Sequence, residues 1–182
     1  MKIYCVRHTK VDIPEGVCYG QSDIGLKDMY GQEKAKVLLS LNGLEFDEIY
    51  SSPLFRCRKL AEDLFPTNKI IFDGRLKELD FGDWEMKTWD EVYGNPEGKA
   101  WMDNYLEAPC PGGESYKELR QRVNDFYMEI SERNFRQIAI VTHAGVIRLL
   151  KSIIEQLPVE VLFRDFKPGF GEIVQLNSNL IQ

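Results

Sequence analysis

Hydrophobic and polar positions change period repeatedly along this chain. Residues 2–6, KIYCV, are apolar after Lys2 and predict a buried strand. Over 28–42 the spacing becomes helical, with Gly31, Ala35, Leu38 and Leu39 on one face and Asn42-Gly43 as the stop. FDEIYSS (46–52) predicts a second short strand. SSPLFRCRKLAEDL (51–64) then predicts a helix, with Ser52 as N-cap and Pro53 at its first position. NKIIFDG (68–74) predicts a third strand. The clearest helix spans 114–133, where Leu119, Val123, Phe126, Tyr127 and Ile130 form one stripe. RQIAIVTH (136–143) is a strand almost free of polar residues, as expected where helices cover both faces. AGVIRLLKSIIEQ (144–156) predicts the next helix and GEIVQLN (171–177) a closing edge strand.

Strands alternating with helices predict an α/β fold: a three-layer α/β/α sandwich around a mostly parallel sheet. A length of 182 residues fits one domain. Composition narrows the class. Hydrophobic residues make up 43% and charged residues 29%, an ordinary globular balance. The net charge of -6 argues against general nucleic-acid binding, although a local basic pocket can still hold an anion. No apolar run reaches the length of a membrane span, and MKIYCV meets charge too early for a signal peptide. The expected setting is therefore the cytoplasm, away from membranes. Cys5, Cys18, Cys57 and Cys110 have no C-x-x-C or metal-ligand spacing and read as reduced, packed thiols.

The chain has only two histidines, and each ends a strand. Ligands of open α/β sheets bind beyond the carboxyl ends of strands. His8 and His143 therefore point to one rim and predict one site. Two histidines without a third ligand make a poor metal centre, and no metal or cofactor is expected. The neighbours are basic instead. Arg7 precedes His8, and Arg56 lies a turn into the helix after SSP, although Arg58 fits that pattern about as well. THAGV places the free amides of a helix start beside His143. This set calls for a phosphate or carboxylate.

A phosphomonoester needs a nucleophile, positive groups for its oxygens, and a proton for the departing alcohol. A neutral imidazole can attack phosphorus, while two arginines and a second, protonated histidine hold the oxygens. RLKELDFGDWE supplies four carboxylates, Glu78, Asp80, Asp83 and Glu85, and spacing does not choose among them. No G-x-G-x-x-G follows the first strand, which excludes the usual dinucleotide site.

VRHT, YSSPLFRCRKLAEDL, KELDFGDWE, PGGES and VTHAGV occur in the order typical of the histidine phosphatase superfamily, and the chain resembles that family over nearly its whole length. The resemblance implies the phosphoglycerate-mutase-like fold and a phosphohistidine intermediate. It makes His8 the nucleophile, and Arg7, Arg56 and His143 the phosphate pocket. Glu78 becomes the proton donor and acceptor. Thr9, Gln21 and Ala144 would border the phosphate. Thr9 and Ala144 stand where the family usually has glycine, Met86 replaces the glycine after WE, and KVDIPEG lacks the usual asparagine.

Within the family, RHT, CYGQSD and ELDFGDWE look most like alpha-ribazole phosphatases, which remove a 5′-phosphate late in cobalamin assembly. A phosphatase of sugar phosphates or other small metabolites is the alternative, and a non-catalytic phospholigand-binding relative a third reading. The partner is a small phosphorylated metabolite in the first two. Residues 81–113 read as a cap-like insertion. The aromatics of this region, Trp84, Trp89, Trp101, Tyr93, Tyr105 and Tyr116, either stack on a benzimidazole or form a small core of their own. Oligomeric state is not legible.

Overall fold

Residues 1–178 are described by a computed structural model. Strand β1 (Lys2–Arg7) is followed by α1 (Tyr30–Leu41), β2 (Glu48–Ser51), α2 (Phe55–Leu64) and β3 (Ile70–Phe72). Two short helices, α3 (Trp89–Gly94) and α4 (Pro96–Asp103), precede the long α5 (Tyr116–Ser131). The chain closes with β4 (Gln137–Thr142), α6 (Ala144–Glu155), α7 (Val159–Asp165) and β5 (Ile173–Asn177).

The strands form one sheet in the order β3-β2-β4-β1-β5. The first four are mutually parallel, and β5 pairs antiparallel with β1 at the edge. Strand alternation sends side chains to two faces. Ile3, Cys5, Tyr50, Ile138, Ile140, Val174 and Leu176 pack with Leu119, Val123 and Phe126 of α5 and Val146, Ile147 and Leu150 of α6. Val6, Ile49, Ala139 and Val141 pack instead with Val37 and Leu41 of α1 and Cys57, Leu60, Ala61 and Leu64 of α2. The result is the three-layer α/β/α sandwich with a mostly parallel sheet, and its apolar strands are those buried on both sides. All four cysteines are buried and unbonded to one another.

Three local expectations are corrected. The buried face of α1 carries Val37 and Leu41, whereas Leu38 and Leu39 are exposed and Gly31 and Ala35 face solvent with them. Helix α2 begins at Phe55 after Leu54, so Ser52 is not its N-cap and Pro53 lies outside it. Ser52 stays with the sheet, its amide donating to the Val141 carbonyl. Its hydroxyl is engaged with His143 at 2.9 Å. Helix α7 has no counterpart in the periodicity reading, being only 7 residues long.

The parallel register pairs Arg7 with Thr142 at the carboxyl ends of β1 and β4. The next residue on each strand is a histidine. Adjacent strand ends therefore deliver His8 and His143 side by side.

Candidate active site

The two imidazoles lie with ring centroids 5.1 Å apart, both buried. Nδ1 of His8 is 2.7 Å from the Thr9 carbonyl oxygen. A carbonyl only accepts, so Nδ1 carries the proton and Nε2 keeps its lone pair. Burial, then Arg56 and Arg7, hold His8 well below the ordinary histidine range, against a smaller opposing effect of the Thr9 bond. The ring is a neutral base with one nitrogen free for attack.

Arg7 and Arg56 flank it. Arg7 Nη1 donates to the Pro168 carbonyl at 2.7 Å, and its guanidinium carbon sits 3.8 Å over the Phe170 ring. Arg56 is fully buried, with Nη1 donating to Ser22 O at 2.9 Å and Nη2 to Gly20 O. Each arginine keeps a buried Nε with no partner among the described residues. Arg58 is exposed, which decides between the two candidates on α2.

His143 follows β4 directly as the N-cap of α6, which begins at the next residue. Its Nε2 is 2.9 Å from Ser52 Oγ and 3.4 Å from Cys57 Sγ. Burial, followed by Arg56 and His8, drives it well below the usual histidine range. These surroundings favour the neutral ring over the expected imidazolium while no anion is bound. The Cys57 thiol beside it is pushed up to about 12, chiefly by burial, and stays protonated.

Of the four carboxylates in the ELDFGDWE stretch, only Glu78 lines the cavity with Arg7, His8 and Arg56. Its Oε2 accepts from the Gly145 amide at 3.1 Å, in the first turn of α6. A Cβ at Gly145 would come 2.2 Å from Glu78 Oε1, so the absence of a side chain there makes room for the carboxylate. Glu85 is consumed structurally. It accepts from the amides of Gly20, Gln21, Ser22 and Phe81 and from the Ser22 hydroxyl, and so ties down the loop whose carbonyls hold Arg56. These contacts hold its carboxyl below the usual range despite burial. Asp80 closes a turn onto the Gly82 amide at 2.9 Å, and Asp83 is exposed.

The other candidates separate. Ala144 lines the cavity. Thr9 is fully buried with an unpartnered hydroxyl, and it acts on the site through its carbonyl on His8. Thr9 and Gln21 are not among the cavity walls. The Gln21 side-chain amide donates to the Glu78 carbonyl at 3.2 Å, so it borders the Glu78 backbone rather than the cavity.

Several residues escaped the sequence reading. Arg122 of α5 donates to the carbonyls of Arg75, Lys77 and Glu78 and is paired with Glu114 at 2.8 Å. It grips the loop that carries Glu78. Phe170 and Pro168 clasp Arg7 from the strand's far neighbour. None has a local signal, because each partner is distant in sequence.

The cavity measures about 750 Å³. Beyond His8 and the charged side chains its walls are largely aromatic, with Phe81, Trp89, Tyr93, Trp101, Tyr105, Tyr116 and Phe163, and His143 is not among them. Trp84 is instead buried against Trp101, at 5.3 Å, so these aromatics divide between wall and core. Among the described residues no three His, Cys, Asp or Glu side chains converge as metal ligands, and no helix is long and apolar enough to cross a membrane.

Comparison with known proteins bears on this geometry. The model of the histidine phosphatase superfamily (branch 1) matches residues 3–177. A Hydrogenobacter thermophilus protein, provisionally named a phosphoserine phosphatase, is 28% identical over 89% of this chain and 82% of its own length. The adenosylcobalamin/alpha-ribazole phosphatase of Escherichia coli K12 is 27% identical over 100% of this chain and 98% of its own. A 2,3-bisphosphoglycerate-dependent phosphoglycerate mutase of Brucella melitensis is 29% identical over 90% and 91%. Among solved structures, the alpha-ribazole phosphatase of Shigella flexneri superposes with a TM-score of 0.90 at 24% identity, covering 98% of this chain and 91% of that one.

Proposed function

This chain belongs to the histidine phosphatase superfamily, and from that premise we propose that it hydrolyses small phosphomonoesters through a phosphohistidine on His8. One observation carries the reading. A neutral imidazole with its Nδ1 proton held by a carbonyl stands beside two arginines and one carboxylate in the same cavity.

In the first step His8 Nε2 attacks phosphorus and the P–O bond to the alcohol breaks. Glu78 gives its proton to the departing oxygen. Arg7, Arg56 and the α6 amides neutralise the charge that builds on the remaining oxygens. His143 adds a neutral hydrogen bond. In the second step the Glu78 carboxylate takes a proton from water, which attacks phosphorus as the P–N bond breaks. Phosphate leaves, and both His8 and Glu78 return to their starting states.

The substrate we favour is alpha-ribazole 5′-phosphate or its corrinoid conjugate, which would place the enzyme in cytoplasmic cobalamin assembly. Support comes from full-length similarity to the Escherichia coli relative and from aromatic walls suited to a flat ring. The cap role of residues 81–113 belongs to the same proposal, since α3 and α4 carry several of those walls. A general phosphatase of sugar phosphates is the competing reading, and the phosphoserine phosphatase and mutase names among the relatives keep it open.

The test is phosphate release, in chelator, from alpha-ribazole 5′-phosphate, 3-phosphoglycerate, phosphoserine, a hexose phosphate and an aryl phosphate. The expected result is turnover without added metal, a kcat/KM on the first ester above those on the hexose and aryl phosphates, and none in His8→Ala. A labelled phosphoenzyme persisting in His8→Ala would overturn the nucleophile. A better sugar phosphate would overturn the substrate but leave the chemistry.

A further inference from the structure

The cavity holds more positive charge than one phosphate uses. Arg148, Arg164 and Lys167 line it in addition to Arg7 and Arg56, against only Glu78 and Glu160. Arg164 is spent on Asp165 at 2.8 Å. Arg148 anchors its Nε on the Phe166 carbonyl at 2.9 Å, and its two Nη groups have no partner among the described residues. Lys167 makes no ion pair among the described residues and is exposed. For a chain of net charge -6, this concentration in one cavity is selective.

A second observation points to the same place. The Tyr116 side chain is 4% exposed, and its hydroxyl is buried with no hydrogen-bond partner. Leaving such a group unsatisfied costs stability, which a bound acceptor would restore. Tyr116 nevertheless lines the cavity, at the first position of α5, where a capping box of Ser115 and Glu118 fixes the helix start. Burial keeps it protonated, hence a donor. Phe163 joins it to the arginine, with the Tyr116 ring 4.6 Å from the Phe163 ring and the Arg148 guanidinium 4.9 Å over it. The donors at Tyr116, Arg148 and Lys167 come from α5, α6 and the segment after α7, none of which supplies His8 or Arg56.

We propose that Tyr116, Arg148 and Lys167 form a second anion subsite, so that the preferred phosphomonoester carries another oxyanion, a carboxylate or phosphodiester, on its alcohol portion. The inference rests on the phosphomonoesterase reading and narrows it. Alpha-ribazole 5′-phosphate alone has no such group, so the subsite favours a larger, doubly anionic conjugate.

Binding separates this inference from the catalytic reading. Calorimetry on the turnover-dead His8→Ala chain compares two matched pairs of different reach: 3-phosphoglycerate with glycerol 3-phosphate, and 6-phosphogluconate with glucitol 6-phosphate. Within each pair only a carboxylate is exchanged for a hydroxymethyl group. In at least one pair the carboxylate should tighten binding about tenfold, the value expected of one charge-assisted hydrogen bond. That ratio should shrink to roughly threefold or less when Arg148→Gln or Lys167→Gln is added, and Tyr116→Phe should lower it too. Lys167 is exposed, so its replacement leaves folding intact and keeps the test decisive. No carboxylate preference in either pair, or a ratio unchanged by Arg148→Gln and Lys167→Gln, overturns the subsite. Wild-type turnover of the same esters judges the phosphatase reading independently.

Discussion

Glu78 is placed by two features that a single substitution can separate. Its carboxylate faces the cavity, and the room for it depends on Gly145 lacking a side chain. A positioned acid contributes about 10²–10⁴-fold when the leaving group is a poor one. Glu78→Gln should therefore lose an amount of that order on alkyl phosphates and far less in the phosphorylation step with an acidic phenol. Gly145→Ala should copy this pattern in weaker form, because the Cβ displaces the carboxylate without removing it. A pre-steady-state burst of phenol against alkyl-ester turnover measures both. Equal losses on the two ester types would move the acid elsewhere. The sequence left four carboxylates open here. What decides among them is where each side chain is consumed, and Glu85 is consumed by amides far away in the chain.

At the scale of elements, α5 reaches across to hold the Glu78 loop. Arg122 donates to three successive-turn carbonyls at 75, 77 and 78 while paired with Glu114. Arg122→Met strands those carbonyls and a half-buried carboxylate. The expected cost is on the order of 3 kcal/mol, or a Tm lower by roughly 5–10 °C. Alkyl-ester kcat should fall with it, while aryl-ester phosphorylation falls less. A Tm loss with unchanged leaving-group dependence would make Arg122 purely structural. The elements themselves were largely legible, since β1, β4, α5 and α6 have clean periods. Helix α1 was misread because Leu38 and Leu39 attract attention, although a 12-residue surface helix can bury only Val37 and Leu41. Ser52 looked like a helix cap because Ser-Pro is a common start signal. Its hydroxyl serves His143 instead, 91 residues away.

For the whole molecule, both histidines are buried and held neutral, which ties stability to pH. Above about pH 6.5 both are neutral whether the chain is folded or not. Below it the unfolded chain takes up two protons that the native state refuses, so stability falls as pH falls. Between pH 7 and 5.5 the loss is roughly 1 kcal/mol per histidine. Urea midpoints at the two pH values measure it, and His8→Asn should remove about half. A midpoint that does not move would mean the rings are protonated in the native state. The alternation of periods made the layered architecture readable in advance. The pairing of strand ends at Arg7 and Thr142 was readable only as a shared rim, since register depends on contacts that no local pattern encodes.

The sheet order has a consequence for synthesis. Strand β1 is made first, yet both of its neighbours, β4 and β5, are made last. The β5 side also supplies the clasp, with Gly171 donating to the carbonyls of Arg7 and His8 and Glu172 accepting from the Arg7 amide. On the ribosome β1, with His8 at its end, thus waits unpaired at both edges for most of the chain to emerge. A stalled nascent chain ending before residue 168 would contain both histidines, both arginines and Glu78, and still lack the clasp on Arg7.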